Sequence, residues 1–227
     1  MQGLTLIGSG WHPHLFRAEI KALTGPLEVI HPRVVYIPHT DSAIRRLSRA
    51  ALLDEVLSSA GRVWLHTSIT DGELAQHIAE WAGSNLPKGS FAVRARNLGT
   101  GIDGLSRSAI EGEVGALVMS EANPVDLESP EHEIVVVLAG PEDGPIHRDS
   151  MSFIGPKVVW GLRESAWQRE SFAGRAPTDR PFFQPVSLDP RQARLLISLA
   201  HRAGVESTTV VDPFCGTGGI AIEAALQ

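Results

Sequence analysis

The 227 residues carry a formal charge of −6, 43% apolar side chains and a single cysteine, Cys215. One thiol rules out a disulfide framework within the chain and makes a cytoplasmic location the expectation. No run of eighteen apolar residues marks a membrane span, and the opening MQGLTLIGSGWHPHLF lacks the basic and then apolar pattern of a secretory signal.

The acidity is concentrated. Residues 116–147 hold seven acidic side chains and no Lys or Arg, whereas residues 148–194 hold eight basic and five acidic ones. That distribution permits a basic face for a polyanion and is equally compatible with ordinary solvated charge.

In chain order, GLTLIGS reads as a strand and PHLFRAEIKALTG as an amphipathic helix, with Leu15, Ile20 and Leu23 on one side and Gly25 closing it. LEVI and RVVYIP are short strands separated by a reversal at His31-Pro32. DSAIRRLSRAALLDEVLSSAG predicts a long helix with Asp41 or Ser42 as N-cap and Gly61 as stop, followed by the strand RVWLHTSI. The order β-α-β-β-α-β over residues 1–70 matches a ferredoxin-like unit.

A second unit, residues 71–165, begins with the helix DGELAQHIAEWAGSNLP, where Leu74, Ile78 and Trp81 recur at helical spacing. SFAVRARNL alternates as a strand: Phe91, Val93 and Ala95 face one way, Arg94 and Arg96 the other. A helix SRSAIEGEVGALVMSEA, the connector PVDLESP, the strand HEIVVVLAG, a loop GPEDGPIHRDS and a β-rich run FIGPKVVWGL complete it. Residues 166–187, rich in Pro and Gly, read as a linker. DPRQARLLISLAHRAG is a helix with Asp189 as N-cap, Pro190 in its first turn and Gly204 beyond its end. TTVVD is expected as a strand running into the turn PFCGTGG and a final helix.

Several residues carry candidate chemistry. Gly216, Gly218 and Gly219 allow the close backbone approach of a ligand-cradling turn. A P-loop would need Lys followed by Ser or Thr after the glycines, but Ile220 stands there; Gly216, Gly218 and Ala221 make only the variant dinucleotide pattern. An ordinary strand-to-helix turn is the plain alternative. Lys88, Arg94, Arg96 and Arg107 form a cationic stretch suited to phosphates, with a solvated strand face as the alternative. Trp160 and Trp167 fit core or linker packing better than base stacking. His12 and His14 lack a third ligand, and Asp126, Glu128, Glu131, His132 and Glu133 read as a solvated connector, so no metal is assigned.

DPFCGTGGI resembles motif I of S-adenosylmethionine-dependent methyltransferases that modify tRNA guanosine on N2, above all the archaeal tRNA guanosine-10 N2-methyltransferases. RPFFQPVSLDPRQARLLISLA is similar to the helix leading into that family's methyltransferase domain, with Gln184 where the pattern has His. The resemblance implies that Phe183, Pro185 and Ser187 edge the cofactor pocket and that Asp212, Cys215, Gly216 and Gly218 follow the methionine portion of S-adenosylmethionine. FAVRARNLG, AIEGEVGALV and VDLESPEHEIVVVL look like a THUMP domain, a small RNA-binding module.

The expected fold class is therefore α+β: a ferredoxin-like unit, a THUMP domain, a linker, and at residues 188–227 the first strand and helix of a Rossmann-like methyltransferase fold. The implied partner is tRNA. The family's acidic or amide residue followed by Pro-Pro-Tyr occurs nowhere in the chain. The expectation is that this chain alone transfers no methyl group, being either the N-terminal piece of a longer enzyme or a chain completed by a separate methyltransferase domain. The alternative is a stand-alone THUMP binding or assembly module without catalysis.

Overall fold

The computed structural model describes residues 3–64, 69–141, 155–169, 171–180, 187–201 and 209–227. One seven-stranded sheet organises the first 163 residues, in the order β2-β3-β1-β4-β7-β6-β5. β1 (Gly3–Gly8) leads through α1 (Pro13–Thr24) to the hairpin β2 (Glu28–His31) and β3 (Val34–Pro38), then through α2 (Asp41–Leu47) to β4 (Leu53–Trp64). β1 pairs antiparallel with β3 on one side and β4 on the other. The second half runs α3 (Asp71–Asn85), β5 (Phe91–Leu98), α4 (Arg107–Val118), β6 (His132–Ala139) and β7 (Lys157–Arg163). β5 and β6 are parallel, joined across α4, while β7 is antiparallel to both β6 and β4.

Alternation along the strands sorts the side chains between two faces. The helices cover one. Leu4, Leu6, Phe16, Ile20, Leu47 and Val56 form a first core under α1 and α2. Leu74, Ile78, Phe91, Ile110, Val114 and Val136 form a second under α3 and α4. The opposite face buries Ile7, Ile30, Val34, Leu57, Val135 and Val159, with no helix among the described residues contributing to that cluster. The sheet must curl to do so, because the edge strand β2 reaches the far end of β6: His31 Nε2 donates to the Gly140 carbonyl at 2.8 Å. Lys157 Nζ on β7 likewise donates to Ile30 O at 2.6 Å.

The structure overturns the long helix expected from Asp41 to Gly61. It stops at Leu47, with Thr40 rather than Asp41 or Ser42 as N-cap, its hydroxyl accepting from Ala43 N at 3.1 Å. Residues 53–64 are instead the central strand β4. Ala, Leu and Glu favour a helix locally, but strand pairing on both sides and burial of Leu53, Val56 and Leu57 outweigh that preference. β4 changes register between Ser58 and Gly61, and Ser59 takes φ 51°. At this bulge Gly61 lies under Trp160: a Cβ there would meet the indole at 2.5 Å. Trp160 is accordingly a core residue, 6% exposed.

Beyond β7 the stretch read as a linker is held down. Trp167 and Phe172 pack against the first core, ahead of a short 3-10 turn, Pro177–Asp179. α5 (Pro190–Ala200) follows, with Asp189 Oδ1 accepting from Arg191 N at 2.9 Å as its cap. Residues 209–212, within the expected strand, have no strand structure; among the described residues no strand pairs with them. The chain then turns through its glycines into α6 (Gly219–Ala225). Among the described residues no helix is long and apolar enough to cross a membrane.

Candidate functional site

Two places hold the residues singled out from sequence. The first is a cleft of about 400 Å³ on the sheet face opposite the helices, lined by Asp54, Glu55, Arg94, Arg96, Arg163 and Arg169 among others. The alternation of β5 aims Arg94 and Arg96 into it. Arg94 Nε lies 3.3 Å from Glu133 Oε1, and its Nη2 donates to the Leu127 carbonyl at 2.6 Å. Arg96 Nε lies 3.3 Å from Glu55 Oε2. Arg163 joins the pairs, with Nη2 2.9 Å from Glu55 Oε1 and Nε 2.5 Å from Glu133 Oε2. Arg169 holds Asp54 at 2.8 Å.

The carboxylates lie deep and the guanidinium groups shallow: Glu55 is 5% exposed, while the four arginines keep between 34% and 50% of their side-chain surface. Four arginines against three carboxylates leave the cleft with an excess of positive charge. The carboxylates hold the guanidinium planes in place; Arg96 Nε and Nη2 are buried, so it is the more exposed Arg94, Arg163 and Arg169 that present N–H groups to an anion.

Lys88 and Arg107 lie elsewhere. Lys88 is exposed ahead of β5, its carbonyl accepting from His132 Nε2 at 3.3 Å. Arg107 is exposed at the first position of α4, beside a shallow depression shared with Ser106, Ser108 and Glu111. The four cations named from sequence therefore do not form one patch; Arg94 and Arg96 do, with Arg163 and Arg169 added. Arg163 ends a strand run and Arg169 follows in an irregular stretch, so only the pairing of β7 with β4 and β6 reveals that they converge with β5. Trp167, also named from sequence, lines this cleft.

The second place is the glycine loop. Gly216 takes φ 50°, and Gly218 takes φ 76° as the N-cap of α6. Gly218 N donates to the Cys215 carbonyl at 2.7 Å, and Asp212 Oδ1 accepts from Phe214 N at 3.0 Å, so the loop is internally tied. Thr217 Oγ1 donates to Ser187 Oγ at 2.9 Å, joining the loop to the segment before α5. A cleft of about 280 Å³ lies there, bounded by Ser187, Asp212, Cys215, Gly216 and Gly219. Ser187, Asp212, Cys215 and Gly216 are thus brought together, with Gly218 capping the helix at their side. Phe183 and Pro185 lie outside the described residues. Thr217 was not singled out from sequence, although its place between two glycines marks it.

The histidines and acidic residues weighed for metal binding have local partners. His12 Nδ1 accepts from Leu15 N at 3.4 Å as the α1 cap, and His14 Nδ1 lies 3.1 Å from Arg17 Nη2. Asp126 accepts from Glu128 and Ser129 backbone N–H groups, which hold its carboxyl below the usual carboxylate range.

Residues 177–227 match the model of an RMKL-like methyltransferase domain, UPF0020. The chain is 32% identical over 185 residues to the tRNA (guanine(10)-N2)-dimethyltransferase of Methanothermobacter thermautotrophicus, covering 81% of this chain and 46% of that protein. The proteins of the same name from Pyrococcus abyssi and Methanocaldococcus jannaschii are 31% and 34% identical, over 65% and 60% of this chain. Over most of its length the chain is thus homologous to the tRNA (guanine(10)-N2)-dimethyltransferases. It spans about half the length, or less, of these curated relatives: 46%, 38% and 35%. In fold it is similar to TrmN from Thermus thermophilus, with a TM-score of 0.57 at 23% identity over 100% of this chain and 62% of that one. A Listeria monocytogenes protein described as a "predicted N6-adenine-specific DNA methylase" gives a TM-score of 0.54 at 16% identity, over 100% of this chain and 55% of that one. The glycine loop and its cleft sit where residues 177–227 match a methyltransferase domain, and the arginine cleft lies outside that match.

Proposed function

We propose that residues 1–165 dock tRNA for methylation of a guanosine N2, and that residues 188–227 contribute the start of the fold that binds S-adenosylmethionine. Homology to the tRNA-methylating enzymes supports the reaction class. The observation that carries the docking role is the arginine cleft: Arg94, Arg96, Arg163 and Arg169 converge on an open concavity, with Arg94, Arg163 and Arg169 the more exposed and Arg96 Nε and Nη2 buried. Such groups hold phosphates and set register without reading sequence. Lys88 and Arg107 act as outlying phosphate contacts.

The first half is a ferredoxin-like unit, which the β-α-β-β-α-β order and the antiparallel order β2-β3-β1-β4 support. The second half is a THUMP domain. Ser187, Asp212, Cys215, Gly216 and Gly218, with Phe183 and Pro185, edge the methionine end of the donor. The chain has no Asp-Pro-Pro-Tyr or Asn-Pro-Pro-Tyr run to hold a guanine amino group. In this reading the 227 residues alone neither methylate nor retain the donor, and positioning of the nucleophile falls to residues outside them, in the same or a separate chain.

A tRNA filter-binding titration of the 227-residue polypeptide at several salt concentrations tests the docking role. Binding with a steep salt slope is expected; absence of binding at low salt, or binding without a slope, refutes it. A methylation assay with the same polypeptide and S-adenosylmethionine is expected to give no product.

A further inference from the structure

Helix α5 meets two parts of the molecule through adjacent residues. Leu195 is 4% exposed within the first core, and Leu199 packs against that core. Ser198 Oγ donates to the Arg49 carbonyl at 3.4 Å and also interacts with Glu19. Glu19, on α1 and fully buried, accepts from Ala51 N at 2.7 Å and Leu52 N at 2.9 Å, tying α1 to the entry of β4. This side of α5 is thus part of the N-terminal unit.

The neighbouring position carries Arg194, 1% exposed. Its Nε and Nη2 lie 3.1 and 2.9 Å from Glu223 Oε2 on α6, which is itself fully buried. Arg175 Nη1 approaches the same oxygen at 3.4 Å. The charge of Arg194 also opposes the burial that raises the pKa of Glu19 on α1. Arg194 thus pairs with α6 from a helix whose adjoining residues sit in the first core. Replacing both partners of a buried ion pair with apolar residues is often no less stable, but separating the partners strands a buried charge, so the pair penalises placements of α6 that part Arg194 from Glu223.

We propose that Arg194 is a positioning residue whose pair with Glu223 fixes α6, and with it the Gly216–Gly219 loop, relative to the N-terminal unit, so that the docking half and the loop behave as one body. The functional weight of this coupling rests on the reading of that loop as the donor site. The mechanical coupling does not.

Cys215 is the chain's single cysteine, exposed and within the loop, so a nitroxide placed on it reports loop mobility without any substitution. Hydrogen exchange of the α6 amides gives a label-free second measurement. In the 227-residue polypeptide, Arg194→Met and Glu223→Gln are expected to speed α6 exchange by about tenfold or more and to narrow the nitroxide spectrum. Arg194→Lys should recover part of the effect. Leu195→Ala, which disturbs only the contact with the first core, should loosen α6 as well, while Leu74→Ala in the second core should not. Unchanged α6 exchange in Leu195→Ala, or an equal response to Leu74→Ala, overturns the proposal. If Arg194→Met does not fold, Arg194→Lys and Leu195→Ala carry the test. Neither readout involves RNA or donor, so its failure is separate from a failure of the tRNA titration.

Discussion

Arg96 on β5 and Glu55 on β4 are separated in the sheet by β6 and β7, yet their side chains meet at 3.3 Å across the face opposite the helices. Arg94, Glu133 and Arg163 fill the space between them, so alternating charges run across four strands. The arrangement places partly exposed cations over Glu55, which water barely reaches, and the shallower Glu133.

Replacing Arg94 or Arg96 with Ala is expected to weaken tRNA binding and to lower the slope of log K against log salt by about one phosphate's worth each. Arg163 remains to satisfy Glu133 and Glu55, so both variants should fold. A lowered unfolding midpoint with an unchanged salt slope would assign these arginines a purely structural role.

Glu55→Gln should act in the opposite direction on RNA. Removing the charge that pairs Arg96 and Arg163 leaves Arg96 without an ion-pair partner and Arg163 with Glu133 alone, so affinity at low salt should rise and its salt dependence steepen. Stability should fall by about 1–3 kcal/mol, because a nearly buried charge-assisted network loses its negative charge and one acceptor oxygen. Denaturant unfolding and the RNA titration, run side by side, measure the two effects.

The dependence of stability on pH should contain two opposing contributions. Burial is the largest influence on Glu19 and raises its pKa to about 7, so its contribution is fully present below the unfolded value and is lost as pH rises toward 7. Burial likewise dominates at His31 and lowers its pKa to about 4, so its contribution is present above the unfolded value and is lost as pH falls toward 4. Each shift corresponds to about 3 kcal/mol, and the two largely cancel between pH 4.5 and 6.5. Glu19→Gln should therefore give stability that climbs with pH across that window, and His31→Gln stability that declines; thermal unfolding at closely spaced pH values would reveal either slope.

Gly61→Val should be strongly destabilising. Its Cβ would meet the Trp160 ring at 2.5 Å, and the added branches have no space, so a loss of at least 1–3 kcal/mol is expected, ~1 kcal/mol more than for Gly61→Ala. Urea unfolding of the two variants provides the comparison.

Much of this architecture was legible because local and tertiary demands agree. The alternation in FAVRARNL placed Arg94 and Arg96 on the face they occupy, and Asp189-Pro190 marked the start of α5. ALLDEVLSSAG misled because its side chains suit a helix, while the outcome depends on β1 and β7, which lie far away in the chain and offer pairing on both flanks. TTVVD misled in the reverse sense: β-branched residues alone do not make a strand without a neighbour. The arginine cleft was half visible. Arg94 and Arg96 announced themselves by spacing, but Arg163, Arg169 and their carboxylates converge only through sheet topology.

The kink at Ser58–Gly61 lets β4 serve two neighbours in succession, β1 through its first residues and β7 through its last. Neither half owns this strand. An excision at residue 70 would carry β4 away with the first half and leave β7 with a bare, apolar margin prone to self-association. Any evolutionary or engineered exchange of the front module must therefore supply a replacement strand with the same jog, which makes the two halves far harder to shuffle than their separate helices and cores would imply.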